Sequence, residues 1–286
     1  MTEMRSRVAV VTGAGSGIGR GLALALAAEG AAVAVVDIMP ANARSVTDEI
    51  KAKGGAAVAL ACDVSDREAV RRVKADAKAA LGEPSLVFAN AGATSFQRLT
   101  DMSENDVDWI IQVNLMGVTN CMMVFLPDMI ARRRGGHVCA TASVAGLMPG
   151  WVPNHAPYSA AKMGVIGLMM NLRIELAEYD IGSTVYCPGG VATGMKENNA
   201  LYRPQRFGGP GKKEEVDISA SIKKDFKPPK NYTPEQIGPM VLRGIKNNHP
   251  VVLDHSNQRE FFEKTYLQPV MSAFDEIAAY ERSENW

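Results

Sequence analysis

The stretch RVAVVTGAGSGIGRGLALALAAEGAAVAVVD, residues 7–37, predicts the fold of this chain. It begins with a short run of apolar and β-branched residues, as expected for a strand that is buried on both faces. Four glycines follow within residues 13–19, and the next apolar segment reads as a helix that Gly30 ends. A second buried strand then ends at Asp37. This order of strand, glycine turn, helix and strand indicates a parallel sheet with helical crossovers.

The glycine turn predicts a nucleotide-binding site. Its spacing is GxxxGxG rather than the commoner GxGxxG, but it lies in the required context between a strand and a helix. Such a turn lets the backbone approach a pyrophosphate, which then lies at the helix N-terminus. Asp37, about twenty residues further on, is placed to accept adenosine ribose hydroxyls and to repel a 2′-phosphate. No arginine directly follows it, so the sequence favours NAD over NADP; alternatively, Asp37 caps the next helix.

The alternation of strands and helices continues along the chain. Helices are predicted at 41–53, 66–81, 103–115 and 118–133, and intervening strands end near Asp63, Asn90, Ser143 and Pro188. We therefore predict a doubly wound, Rossmann-type α/β fold with one parallel sheet and three layers. Ligands of such sheets bind beyond the carboxyl ends of the strands, where these polar residues would meet a cofactor.

Two additions to a single catalytic domain, residues 1–286, are predicted. Residues 194–232 are rich in Lys, Gly and Pro with little periodicity, and we interpret them as a lid over the substrate. Residues 256–286 form a helical C-terminal extension with a break expected at Pro269. The extension carries aromatic residues that we assign to the core or to a subunit contact: Phe261, Phe262, Tyr266 and Phe274.

Composition excludes several classes of partner. The 286 residues include 31 basic and 31 acidic side chains, so no charge excess favours nucleic acid or an anionic membrane. No apolar run is long enough to span a bilayer. The cysteines lie in apolar surroundings without metal-binding spacing, which predicts reduced thiols, a cytoplasmic protein and no metal site: Cys62, Cys121, Cys139 and Cys187.

Tyr158 and Lys162 lie four positions apart, near the start of a long predicted helix that Pro157 would open. Residues at this spacing share a helix face, so the ammonium can stand beside the phenol. A charge about 4 Å away, at an effective dielectric of about 20, contributes roughly 4 kcal/mol. This would lower the tyrosine pKa from ~10 by about three units, into the range of a general acid or base. The alternative is an ordinary solvated helix face.

Residues 7–193 resemble the short-chain dehydrogenases/reductases of the single-domain branch. The motifs occur in the order of that family: TGAGSGIG at 12–19, Asp63–Val64, Asn90 to Gly92, Asn114, Ser143, Tyr158-x-x-x-Lys162 and Pro188–Gly189. The interval between Ser143 and Tyr158 is slightly longer than usual, which suggests an enlarged loop with Trp151 and His155 at the substrate entrance. His155 is an alternative base.

The resemblance implies catalytic roles. Tyr158 would take the proton from a substrate hydroxyl as hydride leaves its carbon for the nicotinamide. Lys162 would lower the tyrosine pKa and hold the ribose hydroxyls of the cofactor. Ser143 would hydrogen-bond the substrate oxygen, with Thr141 as the fallback, and Asn114 would anchor a water that passes the proton to solvent.

The resemblance also implies NAD as cofactor and a homo-oligomer, since family members commonly form dimers or tetramers through helices that correspond to 103–133 and 157–179. The implied cofactor-binding residues are Gly13, Ser16, Gly17, Ile18, Gly19, Asp37, Asp63, Val64, Asn90, Ala91, Gly92, Tyr158, Lys162, Pro188, Gly189, Val191 and Thr193.

The candidate walls of the substrate pocket are apolar or aromatic: Phe96, Met148, Trp151, Met195, Tyr202 and Phe207. They favour a bulky hydrophobic secondary alcohol over a sugar or a small acid. Residues 241–263, VLRGIKNNHPVVLDHSNQREFFE, are also similar to the bacterial Cα-dehydrogenases of lignin breakdown, which oxidise benzylic alcohols of β-aryl ethers with NAD. The alternatives are a hydroxysteroid or other aryl-alcohol dehydrogenase, a ketone reductase and a non-catalytic NAD-sensing module.

Overall fold

A computed structural model describes residues 2–150, 152–195, 201–210 and 231–283. Its centre is a parallel sheet of seven strands in the order β3-β2-β1-β4-β5-β6-β7. The strands are β1 (Val8–Thr12), β2 (Ala32–Asp37), β3 (Ala57–Ala61), β4 (Pro84–Ala89), β5 (Gly136–Thr141), β6 (Ile181–Cys187) and β7 (Val251–Leu253). The predicted doubly wound fold is confirmed.

Helices cover both faces of the sheet. They are α1 (Gly17–Ala28), α2 (Pro40–Ala52), α3 (Arg67–Leu81), α4 (Glu104–Ile111), α5 (Gly117–Arg132), α6 (Val144–Leu147), α7 (Ala156–Glu175), α8 (Pro234–Lys246), α9 (Arg259–Phe262) and α10 (Gln268–Ser283). Successive strand residues point to opposite faces, so Ala9 and Val11 join the core under α1, α2 and α8. Val10 joins the core under α3, α5 and α7.

The two helices predicted at 103–115 and 118–133 form one continuous helical segment. A π turn, Gln112–Met116, joins α4 directly to α5. The segment Glu104–Arg132 is long and apolar enough to cross a membrane, but 67% of its most apolar window is buried inside the fold. It is therefore a core helix whose apolar residues face the sheet and its neighbours.

The break predicted at Pro269 was wrong. Pro269 is the second residue of α10, and the chain is helical on both sides of it. The π turn Glu263–Leu267 ends two residues before the proline, and hydrogen bonds in such a turn reach five residues back instead of four. The wider turn accommodates a residue that has no N–H to donate. Tyr266 and Phe274 are exposed, so of the two predicted roles, core or subunit contact, only the subunit contact remains open to them.

Candidate active site

The carboxyl ends of the central strands surround a cavity of about 260 Å³. With the exception of Gly19, all of the predicted cofactor-binding residues line it: Gly13, Ser16, Gly17, Ile18, Asp37, Asp63, Val64, Asn90, Ala91, Gly92, Tyr158, Lys162, Pro188, Gly189, Val191 and Thr193. Ser143 lines it as well, and Asn114 is buried behind it. Residues spread over most of the chain thus meet at one edge of the sheet.

The glycine turn between β1 and α1 leaves no room for side chains. A Cβ at Gly19 would lie 2.1 Å from the carbonyl oxygen of Gly13, which explains why Gly19 packs beneath the turn instead of lining the cavity. Gly17 opens α1 with a φ of +50°, a conformation that favours glycine. Ser16, the N-cap of α1, makes no capping hydrogen bond with its side chain, and it lines the cavity together with Gly17 and Ile18. The start of α1 therefore lies in the cavity wall, where an anion site would form.

Asp37 ends β2 with its carboxylate in the cavity wall. One oxygen accepts the Gly15 N–H at 2.9 Å and the other accepts the Met39 N–H at 2.9 Å. Burial raises the pKa of Asp37, and these backbone hydrogen bonds oppose the increase. Because Met39 is the N-cap of α2, the carboxylate both supports the helix start and shapes the glycine turn. The two interpretations of Asp37 are therefore compatible.

Residues 201–210, here called the strap, lie over the end of the cavity that contains Asp37 and Asp63. Tyr202 and Pro204 line the cavity. Arg206 donates to the Asp63 carboxylate at 2.8 Å and to the hydroxyl of Ser65. Arg206 contacts Oδ2 of Asp63, whereas Oδ1 accepts hydrogen bonds from Ser65, so the strap is attached to a predicted cofactor residue.

Further contacts hold the strap in place. Arg203 forms an ion pair with Asp106, and its guanidinium lies 5.1 Å from the centre of the Trp109 ring. The Asn42 side-chain amide donates to the Tyr202 hydroxyl at 3.3 Å. The strap therefore covers the Asp37 end of the cavity, whereas Met195, which also belongs to the predicted lid, lines the cavity beside Gly92. The remainder of the predicted lid, 196–200 and 211–230, lies outside the described residues.

Asn90 joins the ends of three strands. Its amide nitrogen donates to the carbonyl oxygen of Thr12 at 3.1 Å, and its amide oxygen accepts the hydroxyl of Thr141 at 2.9 Å. The hydroxyl of Thr12 in turn accepts the backbone N–H groups of Asn90 and Ala91. Because its hydroxyl is committed to Asn90, Thr141 is a poor substitute for Ser143.

Ser143, Tyr158 and Lys162 meet at the other end of the cavity. Ser143 is the N-cap of the short helix α6, and its hydroxyl accepts the Ala145 N–H at 3.1 Å. Pro157 lies in the first turn of α7, which carries Tyr158 and Lys162 on its buried face. The Lys162 ammonium donates to the Thr141 carbonyl oxygen at 2.8 Å and lies 5.6 Å from the centre of the Tyr158 ring.

The pKa values of Tyr158 and Lys162 differ from the expectation that the lysine lowers the pKa of the tyrosine. Burial raises the pKa of Tyr158 to about 12, and a hydrogen bond with Ser143 opposes the increase. Burial also lowers the pKa of Lys162 to about 8, because an ammonium in the interior has lost its hydration. In the cofactor-free protein, desolvation therefore outweighs the attraction between the two groups.

Asn114 lies in the π turn between α4 and α5 and is fully buried. Its amide nitrogen donates to the carbonyl oxygens of Ala93 and Ile110, each at 2.8 Å. A Cβ at Gly92 would lie 3.0 Å from the Asn114 amide oxygen and 3.5 Å from the Lys162 ammonium. The absence of a side chain at Gly92 thus lets these two groups approach the same point behind the cavity.

His155 is buried against the site and is not an exposed loop residue. Its ring stacks on the ring of Tyr158 at 4.2 Å with an angle of 2° between the planes, and Phe96 stacks on its other side at 4.5 Å. Its Nε2 atom lies 2.7 Å from the Thr94 hydroxyl. The stacked rings hold the phenol of Tyr158 in one orientation.

A second cavity of about 590 Å³ adjoins this stack. It is lined by Arg98, Leu99, Thr100, Pro149, Gly150, Val152, Pro153, Asn154, His155, Ala156, Ser159, Ala160 and Met163. His155 lies in its wall, so the stack separates the two cavities. The residues that surround this space come largely from the enlarged loop that follows Ser143.

The residues predicted to form the substrate walls occupy different positions, and Phe96 is the one that stacks on His155. Met195 lines the first cavity close to Gly92, near the catalytic group. Met148 and Phe207 are buried and line neither cavity, so the prediction for these two was wrong, whereas Tyr202 lines the Asp37 end of the first cavity from the strap. Trp151 lies outside the described residues.

A buried carboxylate near the end of β6 escaped the sequence analysis. Asp254 accepts the Gly189 N–H at 2.9 Å and the hydroxyl of Tyr186 at 2.8 Å, and it also pairs with the His255 ring. It therefore holds the turn after Pro188 against the cavity. Its position just after the last predicted strand was the one available signal.

Arg206 is a second functional residue that the sequence analysis missed, because nothing in its local sequence indicates Asp63 as its partner.

Charged and metal-ligating side chains elsewhere form no further centre in the described ranges. No group of three or more His, Cys, Asp or Glu side chains there is arranged to hold a metal ion. All four cysteines are buried and unpaired, and burial raises the pKa of each thiol to about 12: Cys62, Cys121, Cys139 and Cys187.

Comparisons with known proteins agree with this geometry. The family model described as short chain dehydrogenase matches residues 7–202. The C alpha-dehydrogenase of Sphingobium sp. (strain NBRC 103272 / SYK-6) is 32% identical over 282 residues, which cover 98% of this chain and 90% of that protein. The predicted family resemblance is confirmed.

Solved structures are similar over nearly the whole chain. A short chain dehydrogenase/reductase from Burkholderia phymatum in complex with NAD has a TM-score of 0.85 at 27% identity, covering 95% of this chain and 97% of that one. The apo form of LigD from Sphingobium sp. strain SYK-6 has a TM-score of 0.76 at 29% identity, covering 94% and 98%.

Replacing Lys162 by methionine should change the pH dependence of stability. Because the pKa of Lys162 is lowered to about 8 on folding, the unfolded chain binds the proton more tightly, and wild type becomes more stable as pH rises from 8 to 10.5. In cofactor-free protein, Lys162→Met should therefore be the more stable form at pH 7, by up to roughly 3 kcal/mol, and lose that advantage by pH 10.5.

Denaturant unfolding of both proteins across this range measures the difference. Lys51→Met, which alters an exposed lysine of α2, is the control and should give a difference that hardly varies with pH. A pH-independent difference for Lys162→Met would show that folding does not lower the pKa of this amine, which would contradict its desolvation in the folded protein.

Proposed function

Since the chain belongs to the short-chain dehydrogenase family, we propose that it is an NAD-dependent dehydrogenase that oxidises a bulky, hydrophobic secondary alcohol to the ketone. One observation carries this proposal. Ser143, Tyr158 and Lys162 line one end of the same cavity whose other end contains the Asp37 carboxylate. A proton-transfer group and a ribose-binding carboxylate in one continuous space suit a dinucleotide and an alcohol that react together.

The cavity is suited to NAD. The glycine turn is too tightly packed for side chains, as the short distance at Gly19 shows. Because its glycines carry none, a pyrophosphate could approach the backbone at the start of α1. Asp37 supports recognition of ribose hydroxyls and would repel a 2′-phosphate. The Burkholderia phymatum relative that was solved with NAD has the same fold over nearly its whole length.

The chemistry follows from the four side chains. Tyr158 takes the alcohol proton on its phenol oxygen, and Ser143 donates a hydrogen bond to the substrate oxygen as charge develops there. A bound nicotinamide supplies the hydride acceptor. Lys162, held by the Thr141 carbonyl, stabilises the ionised phenol and contacts the cofactor ribose. Asn114 anchors the water through which Lys162 exchanges its proton with solvent.

The pKa values of the cofactor-free site must change when the site is occupied. A Tyr158 pKa of about 12 is too high for a base at neutral pH, and a Lys162 pKa of about 8 keeps the amine close to titration. An ammonium a few ångströms from a phenolate in a closed site is stabilised by it, and the phenolate is stabilised in return. The two groups then share one proton between them.

The benzylic alcohol of a β-aryl ether is the substrate class that we propose. The 32% identical relative is named C alpha-dehydrogenase, and the similarity extends over 98% of this chain. Met195 in the first cavity and the mainly apolar second cavity beside His155 offer surfaces for aromatic rings. The second candidate is a hydroxysteroid or another aryl alcohol, because these surfaces also suit such a molecule. The enzyme would either oxidise that alcohol or form it by reducing the ketone.

We also propose that each chain forms one catalytic domain and that the chains assemble into a homo-oligomer in the cytoplasm. Four buried, unpaired cysteines suit a reducing compartment. Exposed apolar side chains on α5 and α7, among them Met123, Met170 and Ile174, support contact with another subunit through these helices. The presence of all four catalytic side chains makes a non-catalytic NAD-sensing module the weaker alternative.

A substrate screen with NAD tests the reaction. Wild type should reduce NAD with benzylic β-aryl-ether alcohols, of one enantiomer, faster than with steroids or short aliphatic alcohols. Tyr158→Phe should lower kcat by about 10³-fold because the proton acceptor is lost, while the Kd of NAD stays within about twofold. Tyr179→Phe, which alters a half-buried tyrosine that lines neither cavity, is the matched control. Turnover like that of wild type in Tyr158→Phe would remove Tyr158 from the mechanism.

Replacing Asp37 by asparagine should weaken the preference for NAD. The amide can still accept one backbone N–H but no longer repels a 2′-phosphate, so the ratio of kcat/KM for NAD to that for NADP should fall about tenfold or more. Asp48→Asn, an exposed change on α2, should leave the ratio unaltered. An unchanged ratio in Asp37→Asn would contradict the proposed ribose contact.

Removing the strap ion pair should weaken NAD binding. Arg206→Ala frees residues 201–210 from Asp63 and opens the cavity end that would hold the adenosine. A partly exposed pair of this kind contributes up to about 1 kcal/mol, so the Kd of NAD should rise by up to about fivefold. Arg132→Ala breaks a comparable pair with Glu83 away from the cavity and should have no effect. Equal Kd values for both variants would make the strap irrelevant to the cofactor.

A further inference from the structure

The C-terminal helical segment projects from the fold. From Lys264 to Ser283 no residue is buried, and only Ala278 is half-buried. We call this segment the arm; it consists of the end of the π turn and α10. A helix of this length is marginal in water by itself, because most helical stability in proteins comes from packing of an apolar face.

One face of the arm is strongly apolar. At 100° per residue, six large exposed side chains fall within an arc of about 140°: Tyr266, Leu267, Val270, Met271, Phe274 and Ile277. Their exposed fractions run from 38% at Tyr266 to 63% at Phe274. The opposite face carries Thr265, Ser272, Glu276 and Ser283. Six such side chains form a patch on the order of several hundred Å², the size that marks an interaction site.

We propose that the arm pairs, in antiparallel orientation, with the arm of a second copy of this chain. The apolar residues recur at the three- and four-residue spacing with which two helices interdigitate. Two arms buried against each other contribute on the order of 1,000 Å², which approaches the area of a specific interface. This contact is separate from the α5 and α7 surfaces and does not depend on the catalytic proposal.

Charges at the two ends of the arm favour the antiparallel orientation. Glu263 and Lys264 lie at the start, and Glu281 and Arg282 lie at the end. Antiparallel pairing centred between Met271 and Phe274 brings Lys264 toward Glu281 of the second copy, and Glu263 toward Arg282 of the second copy. Glu263 and Lys264 already form exposed pairs within their own helix, so the added contacts select the register more than they add affinity.

The charge of the arm disfavours a membrane as the partner. Helices that lie on anionic membranes carry many basic residues beside the apolar face. Residues 264–283 contain two basic side chains, Lys264 and Arg282, and three acidic ones, Asp275, Glu276 and Glu281. A second copy, whose arm has the same apolar face and complementary ends, is the better match.

Sedimentation velocity on the full chain tests the proposal. Phe274→Glu places a charge in the centre of the apolar face and should halve the particle mass or raise the dissociation constant at least 100-fold. Ser272→Glu adds the same charge to the opposite face and should leave the mass at the wild-type value. Circular dichroism of both variants verifies that the helix content is retained.

A charge exchange tests the register. Glu281→Lys should weaken association a few-fold, and adding Lys264→Glu should restore it. The proposal is overturned if Phe274→Glu keeps the wild-type mass. It is overturned as well if wild type is monomeric at 100 µM, a concentration on the order of the dissociation constants of weak specific contacts. It is also overturned if wild type stays monomeric and instead co-sediments with phosphatidylserine vesicles in a manner that Phe274→Glu abolishes.

Discussion

A lysine ammonium held in the protein interior is the interaction on which the site depends. Lys162 is almost fully buried, and it retains a hydrogen bond to the carbonyl oxygen of Thr141 at the end of β5. Burial without full compensation lowers its pKa to about 8 and leaves the amine poised between its two states. Burying the Lys162 ammonium therefore costs the fold some stability, and it gives the amine a pKa at which it can exchange a proton in the proposed reaction. Shifted pKa values of this kind are common at functional sites.

Rigid supports surround this responsive group. His155 and Phe96 stack beside Tyr158, Ser143 caps α6, and Asn114 uses the π turn to bond with the backbone of two different segments. Each support removes a degree of freedom from a side chain that must meet a substrate within a fraction of an ångström. The π turn is the clearest case, because the widened helix directs an amide into the interior next to Gly92.

The edge of the sheet is closed by contacts that come from late in the chain. Arg206 reaches back to Asp63, and Asp254 reaches the turn at Gly189. Both contacts join residues more than sixty positions apart, so they exist only when the sheet is assembled. Among the described residues, those of the arm from Lys264 to Ser283 make no such contact, and the large apolar side chains of the arm remain exposed.

The sequence by itself determined the parallel sheet, the glycine turn and the residues that gather at the strand ends, because buried strands, glycine spacing and helix starts are local patterns. Tyr158 and Lys162 could be paired from their spacing for the same reason. Only the tertiary structure decided their ionisation, since desolvation depends on what the rest of the chain packs over them. The contact of the strap with Asp63 and the interior positions of Met148 and Phe207 likewise depend on neighbours that are distant in sequence. The helix continues through Pro269 because a π turn precedes it. Distant neighbours and π turns leave no periodic signal in the sequence.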